Sequence, residues 1–190
     1  PDQTAVIETT CPEKGREHLP RILPGPHQID VGGRVDQIVG ILHFAALRGR
    51  LDRAGVPASA YRLSTIDGWA IRLISTFPGR SAHDPEILRL AAPARDYPAI
   101  RDAAWKLLQA GHVSEVLKAS YAHLIVDEYQ DCSVPQHYIV YFLSLILPTC
   151  VLGDPMQGIF GFGGNALANW EQPVCAHFPV VAELATPWRW

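Results

Sequence analysis

Two adjacent acidic residues, Asp127 and Glu128, directly follow a short apolar run, His123–Val126, that is typical of a buried strand. In open α/β sheets, ligands bind beyond the carboxyl ends of the strands, so both carboxylates are expected at a ligand-binding edge. Asp127 is suited to hold Mg²⁺, and Glu128 to orient and deprotonate an attacking water molecule. The alternative is that the acidic pair only caps the helix that follows, because acids favour helix N-termini.

The string DEYQD, Asp127–Asp131, resembles motif II of superfamily 1 DNA helicases of the UvrD/Rep class. Three further segments resemble motifs of the same family, and all four occur in the family's order. They are Ser64–Ala70 (STIDGWA, motif Ic), Val151–Phe162 (VLGDPMQGIFGF, motif III) and Leu184–Arg189 (LATPWR, the start of motif IV). The shared order favours the catalytic interpretation of the acidic pair over the capping one.

The resemblance implies ATP and Mg²⁺ as cofactors, with Asp127 as the metal ligand and Glu128 as the general base. Gln157 would lie near the γ-phosphate and couple the nucleotide state to DNA. Asp154 would support the loop that carries Gln157. Arg189 would act as an arginine finger that stabilises charge on the transferred phosphoryl group. Glu128, Gln157 and Arg189 are therefore the predicted catalytic residues, and all of them, with Asp127, are predicted to contact the nucleotide.

Contacts with single-stranded DNA are implied for Thr65, Trp69, Phe160 and Phe162. Aromatic faces suit this role because they stack on any base. The alternative for the three aromatic residues is packing in the core. Asp67 stands where the family commonly has histidine, and a carboxylate is unfavourable beside phosphates, which counts against a DNA contact at that position.

A Walker A loop, GxxxxGK[ST], would be needed to cradle the phosphates, yet none of the three lysines is followed by Ser or Thr. The strand before such a loop is predicted at Thr4–Thr9, and the helix after it at Glu17–Leu23. Lys14, in the intervening CPEKGR, would bind phosphate only through a shifted loop. The alternative is a degenerate phosphate site.

The resemblance implies an α/β fold of the RecA-like, P-loop NTPase type, in which helices flank a parallel sheet. Residues 1–190 are expected to form an incomplete RecA-like domain, with a short helical insertion at residues 77–120. The chain stops just after motif IV begins, so a second motor domain is expected to come from elsewhere, as another domain or subunit.

The implied function is that of a motor domain that couples ATP hydrolysis to 3′-to-5′ translocation on single-stranded DNA. The alternative is an inactive or truncated remnant that binds DNA or a partner without turnover. Because GK[ST] and the second motor domain are missing, the chain alone is expected to be inactive. The pathway, whether repair, recombination or defence, is left open.

Strand-like and helix-like segments alternate along the chain, which indicates a largely parallel sheet. The predicted strands after the N-terminal one are Tyr61–Ser64, His123–Val126, Cys150–Leu152 and Val180–Leu184. The predicted helices are Val35–Leu51, Ile66–Ser75, Pro85–Ala91, Tyr97–Ala110, Val113–Ser120, Val134–Leu147 and Ala166–Trp170.

The composition sets limits on partners and location. The net charge is −3, so DNA must be contacted through a local surface rather than a globally basic one. No CxxC pair and no HExxH motif occurs, so a zinc site is not expected. The most apolar stretch, Tyr138–Leu152, is too short to span a bilayer, and a cytoplasmic location without membrane contact is the expectation.

Overall fold

A computed structural model describes residues 35–39, 44–158 and 166–183. Four parallel strands form one sheet in the order β2-β1-β3-β4. They are β1 Val35–Val39, β2 Tyr61–Arg62, β3 Tyr121–Val126 and β4 Thr149–Val151. The predicted α/β class with a parallel sheet is thereby confirmed. The predicted elements Thr4–Thr9 and Glu17–Leu23 lie outside the described residues.

Helices connect these strands. The α-helices of the described ranges are α1 Phe44–Arg53, α2 Ile66–Thr76, α3 Pro78–Ser81, α4 Pro93–Gln109, α5 Ser114–Ser120, α6 Val134–Ser144 and α7 Cys175–His177. Short 3₁₀ helices span Pro85–Arg89, Tyr129–Asp131 and Pro155–Gln157. Residues Trp170–Val174 form a turn that is interrupted at Gln172, whose backbone is extended. None of these helices is long and apolar enough to cross a membrane.

Local sequence signals explain two of the helix starts. The Thr65 hydroxyl accepts a hydrogen bond from the Gly68 amide at 2.9 Å and so caps α2. A capping box formed by Ser133 and Gln136 begins α6, and Pro135 lies in its first turn, where proline is tolerated. Both helices therefore begin where the sequence predicts. The start of α4 was predicted at Tyr97, but the helix begins at Pro93.

The predicted helix Val35–Leu51 is wrong in its first part. Val35–Val39 forms the central strand β1, which pairs with β2 on one side and β3 on the other. Helix α1 begins only at Phe44. The apolar spacing of so short a run fits either structure, and pairing on both sides satisfies the backbone of a strand.

The predicted helix Ala166–Trp170 and strand Val180–Leu184 are also wrong where they are described. The Ala168 amide donates to the Cys132 carbonyl and the Val134 amide to the Ala166 carbonyl, which holds this segment extended beside the start of α6. The turn Trp170–Val174 begins only after this segment. Residues 180–183 form no strand.

The hydrophobic core lies among α2, α4, α6 and β3, and α4 packs against both α2 and α6. Apolar side chains on one face of each helix supply it, as their spacing predicts. The most deeply buried members include Ala70, Ile74, Ile100, Ala104, Val126, Ile139 and Val140. This core fixes β3 and, through it, the loop that follows.

Candidate functional site

The carboxyl ends of β3 and β4 lie side by side. Val126 pairs with Val151, and the Leu152 amide donates to the Val126 carbonyl at 2.8 Å. The Tyr129 amide then donates to the Leu152 carbonyl at 2.9 Å. The loop after each strand is therefore held against the other, and the residues of both predicted motifs meet at one edge of the sheet.

Asp127 is the first residue beyond β3, and its side chain is partly buried. Its carboxylate accepts a hydrogen bond from the Glu128 amide at 3.0 Å. Burial raises the pKa of Asp127, the Glu128 amide partly opposes that shift, and the charge of Glu128 adds to it. A carboxylate that is costly to ionise and lies at a strand end is suited to a divalent cation, which would compensate its charge.

Glu128 adopts a left-handed backbone conformation, with φ of 54°. This conformation is uncommon for a residue with a side chain, and it is held here by the hydrogen bonds on both sides of it. The Gln130 side-chain amide donates to Glu128 Oε2 at 2.6 Å. The carboxylate is thereby oriented from within the same loop.

Beyond β4, Asp154 organises a second loop. Its carboxylate accepts hydrogen bonds from the Met156 amide at 2.9 Å and from the Gln157 side chain at 2.8 Å. Gln157 itself is exposed. The arrangement agrees with the expected support of Gln157 by Asp154.

Gln130 was not among the predicted site residues. Its side chain accepts a hydrogen bond from the Asp154 amide at 3.0 Å while it donates to Glu128. Its place inside DEYQD, two residues after Glu128, was the available signal in the sequence. Only the fold shows that its side chain reaches the second loop.

The two described residues predicted to contact DNA lie at the start of α2, shortly after β2. Thr65 uses its hydroxyl to cap α2. Trp69 is only 5% exposed and lines a small apolar cavity with Leu124 and Ile139. Burial of the indole favours the core-packing alternative for Trp69, because no face of the ring is open to a base.

Asp67 forms an ion pair with Arg101, whose guanidinium donates to both carboxylate oxygens at 2.6 Å. Gln136 adds a third, longer contact to the same carboxylate at 3.3 Å. The side chain of Asp67 also raises the pKa of Arg101, chiefly through this hydrogen bonding. The acid that departs from the family's pattern thus joins α2 to α4 and α6.

A series of buried polar side chains connects the acidic loop, Asp127–Asp131, with α6 and α7. The Tyr129 hydroxyl contacts His137 Nδ1 at 2.8 Å, and His137 Nε2 contacts His177 Nδ1 at 2.9 Å. Burial lowers the pKa of His137 to about 4, and the charge of His177 adds to this effect. A neutral His137 can accept from Tyr129 and donate to His177, so the series is satisfied without a buried charge.

Lys14, Phe160, Phe162 and Arg189 lie outside the described residues. Their predicted roles in phosphate binding, base stacking and charge stabilisation therefore stay predictions.

Comparison with protein families gives a match to the UvrD/REP helicase N-terminal domain over residues 86–173. This match confirms the resemblance to UvrD/REP helicases. The matched stretch contains the acidic loop after β3 and the Asp154–Gln157 loop after β4. Helicases of this family use a nucleotide, generally with Mg²⁺, and bind nucleic acid. A comparison with curated proteins found no match.

Proposed function

We propose that this chain is the ATP-binding part of a UvrD/REP-type motor domain with a RecA-like fold. In such a motor, ATP hydrolysis drives translocation on single-stranded DNA, and the family resemblance implies 3′-to-5′ polarity. The observation that carries the proposal is the meeting of Asp127 and Glu128 with the Gln157 loop at one edge of a parallel sheet.

The donor set at this edge fits a magnesium nucleotide. Within the described ranges, no group of three or more His, Cys, Asp or Glu residues could enclose a metal ion. One carboxylate is sufficient for Mg²⁺, which usually keeps several waters and takes further oxygens from substrate phosphates. Asp127 is the residue that would hold it, and the bound ion would neutralise charge on the phosphates.

Glu128 would orient the attacking water and accept its proton, because its carboxylate is held in place by Gln130. Gln157, exposed on the neighbouring loop, would contact the nucleotide from the side of β4. Arg189 would supply positive charge to the transferred phosphoryl group. The partners are single-stranded DNA and a second motor domain or subunit that closes the nucleotide cleft.

The proposed domain organisation follows from the same assignment. Residues 1–190 would form an incomplete RecA-like domain, and residues 77–120 its helical insertion. Helices α3, α4 and α5 lie within that span.

A second candidate function is binding of DNA or a partner protein without turnover. The sequence favours it at one point, since no lysine is followed by Ser or Thr. A chain without the Walker A lysine lacks the usual charge on the β- and γ-phosphates.

ATP hydrolysis with and without single-stranded DNA distinguishes the candidates. The variant Glu128→Gln removes the proposed base. Glu115→Gln is the matched control, because Glu115 is exposed on α5 and, among the described residues, pairs only with Lys118. A working motor gives DNA-stimulated hydrolysis that falls about 10²-fold or more in Glu128→Gln and is unchanged in Glu115→Gln. Binding of single-stranded DNA without nucleotide binding supports the second candidate. Absence of nucleotide binding contradicts the first.

A further inference from the structure

The side-chain amide of Gln130 is buried between the two loops of the site, and the residue is 6% exposed. Its Oε1 accepts from the backbone amide of Asp154 at 3.0 Å, and its Nε2 donates to Glu128 Oε2 at 2.6 Å. The orientation is fixed by chemistry, because the backbone N–H can only donate and the ionised carboxylate can only accept. A flipped amide would lose both hydrogen bonds.

These contacts form one continuous path between the two proposed catalytic side chains. Glu128 is joined to Gln130, Gln130 to the Asp154 amide, and the Asp154 carboxylate to the Gln157 side chain. Each of the three hydrogen bonds on this path is 3.0 Å or shorter, and the bonds of Asp154 itself join the second to the third. Among the described residues, this is the path by which the loop after β4 contacts the Glu128 carboxylate.

The space around the Gln130 amide is shaped to hold it in this position. A Cβ at Gly153 would lie 2.7 Å from Gln130 Oε1, closer than non-bonded atoms approach. It would also lie 3.0 Å from the Tyr129 nitrogen, which is fixed by its hydrogen bond to Leu152. The absence of a side chain at position 153 therefore lets the amide lie between the loops.

We propose that Gln130 is a positioning residue that couples the orientation of Glu128 to the loop that carries Gln157. Its catalytic consequence rests on the proposed function, because Glu128 and Gln157 are assigned there. When the Gln157 loop moves, the Asp154 amide moves with it, and Gln130 transmits that displacement to the Glu128 carboxylate. The general base would then be oriented only when the second loop is in place.

A purely structural role for Gln130 would give a different result in one respect. Filling space between the loops would depend on the side chain of Gln130 but not on the carboxylate of Glu128. Glu128 has no direct contact with the Asp154 amide among the hydrogen bonds of the described residues. An effect of Glu128 on that amide therefore reports coupling through Gln130.

Hydrogen exchange of the Asp154 amide, measured by NMR on the full chain, tests this coupling without any nucleotide. The variants are Glu128→Ala and Gln130→Leu, with Gln109→Leu as a control at an exposed position at the end of α4. Exchange is normalised to the core amide of Val140, so a general loss of stability is separated from local opening. We expect acceleration of about fivefold or more in the first two variants and no change in the control.

An unchanged Asp154 amide in Glu128→Ala would overturn the proposal, even if Gln130→Leu accelerates exchange. That result would leave Gln130 with a space-filling role alone.

A kinetic measurement gives the catalytic consequence. Gln130→Glu keeps an acceptor for the Asp154 amide but places an oxygen where Glu128 needs a donor. In a chain that hydrolyses ATP, kcat falls about tenfold or more while the KM for ATP stays within about twofold. An unchanged kcat contradicts the coupling. If the native chain binds no nucleotide, the proposed function fails, and the exchange measurement still decides whether the two loops are coupled.

Discussion

The guanidinium of Arg101 in α4 binds both carboxylate oxygens of Asp67 in α2, each at 2.6 Å. The two side chains are 11% and 21% exposed, so the pair is largely removed from water. A paired, largely buried carboxylate serves packing between helices rather than contact with DNA phosphates. Position 67, which departs from the helicase motif, is thus explained by a local structural role.

Removal of Arg101 is expected to destabilise the chain, because it leaves Asp67 partly buried without its partner. We expect Arg101→Met to lower the free energy of unfolding by about 1–3 kcal/mol in chemical denaturation. Lys106→Met is the control, since its ion pair with Asp102 is about half exposed, and a loss below about 0.5 kcal/mol is expected there. Equal effects in the two variants would show that the Arg101 pair contributes no more than a surface one.

Gly153→Ala is expected to be strongly unfavourable, because the new methyl group would contact the backbone nitrogen of Tyr129 at 3.0 Å. We expect a loss of about 1–3 kcal/mol in the free energy of unfolding. Gly79→Ala is the matched control, since a Cβ there has no neighbour within 4 Å. An unchanged free energy of unfolding in Gly153→Ala would mean that the two loops are not in close contact in solution.

Asp127→Asn is expected to stabilise the chain in the absence of nucleotide. Burial raises the pKa of Asp127, so the ionised carboxylate disfavours folding at neutral pH. We expect Tm to rise by about 2–4 °C at pH 7, which corresponds to about 1 kcal/mol.

The rise in Tm of Asp127→Asn should shrink as the pH falls through the raised pKa of Asp127, because the carboxyl of the native chain is then neutral as well. Asp52→Asn, at an exposed position in α1, should show no such gain. A lower Tm for Asp127→Asn at pH 7 would contradict this account of the acidic loop.

His137 gives the chain a defined sensitivity to acid. Its pKa is lowered to about 4 by burial, whereas the unfolded chain takes up the proton near pH 6.5. Stability is therefore full above about pH 6.5 and falls as the pH drops toward about 4, with a slope of about 1.4 kcal/mol per pH unit for one proton.

The free energy of unfolding of His137→Gln, measured in urea between about pH 4 and about pH 6.5, should depend less steeply on pH than that of the native chain. This holds whatever the stability of the variant at neutral pH. His112→Gln, at an exposed position, should keep the native slope. Identical pH dependences for all three proteins would exclude His137 as the source.

The parts of the site that the sequence predicts are those fixed by local patterns. A short apolar strand followed by two acids places Asp127 and Glu128 at a sheet edge, and the strand before Gly153 does the same for Asp154. Parallel strands share one carboxyl edge, so their meeting follows from topology alone.

Other features depend on contacts between distant segments. The strand β1 was predicted as helix because its apolar spacing fits both structures, and only pairing with β2 and β3 decides between them. The bridging role of Gln130 and the pairing of Asp67 with Arg101 each join residues that are far apart in the sequence. No local pattern predicts which distant group a polar side chain will contact.

We propose that a magnesium nucleotide binds at the shared edge of β3 and β4. NMR titration of the native chain and of Asp127→Asn with ATP and Mg²⁺ tests this binding. We expect shifts of the backbone amides of Glu128, Gln130, Asp154 and Gln157 that saturate in the native chain and are lost in the variant. No binding by the native chain, or saturating shifts confined to residues away from these two loops, would contradict it.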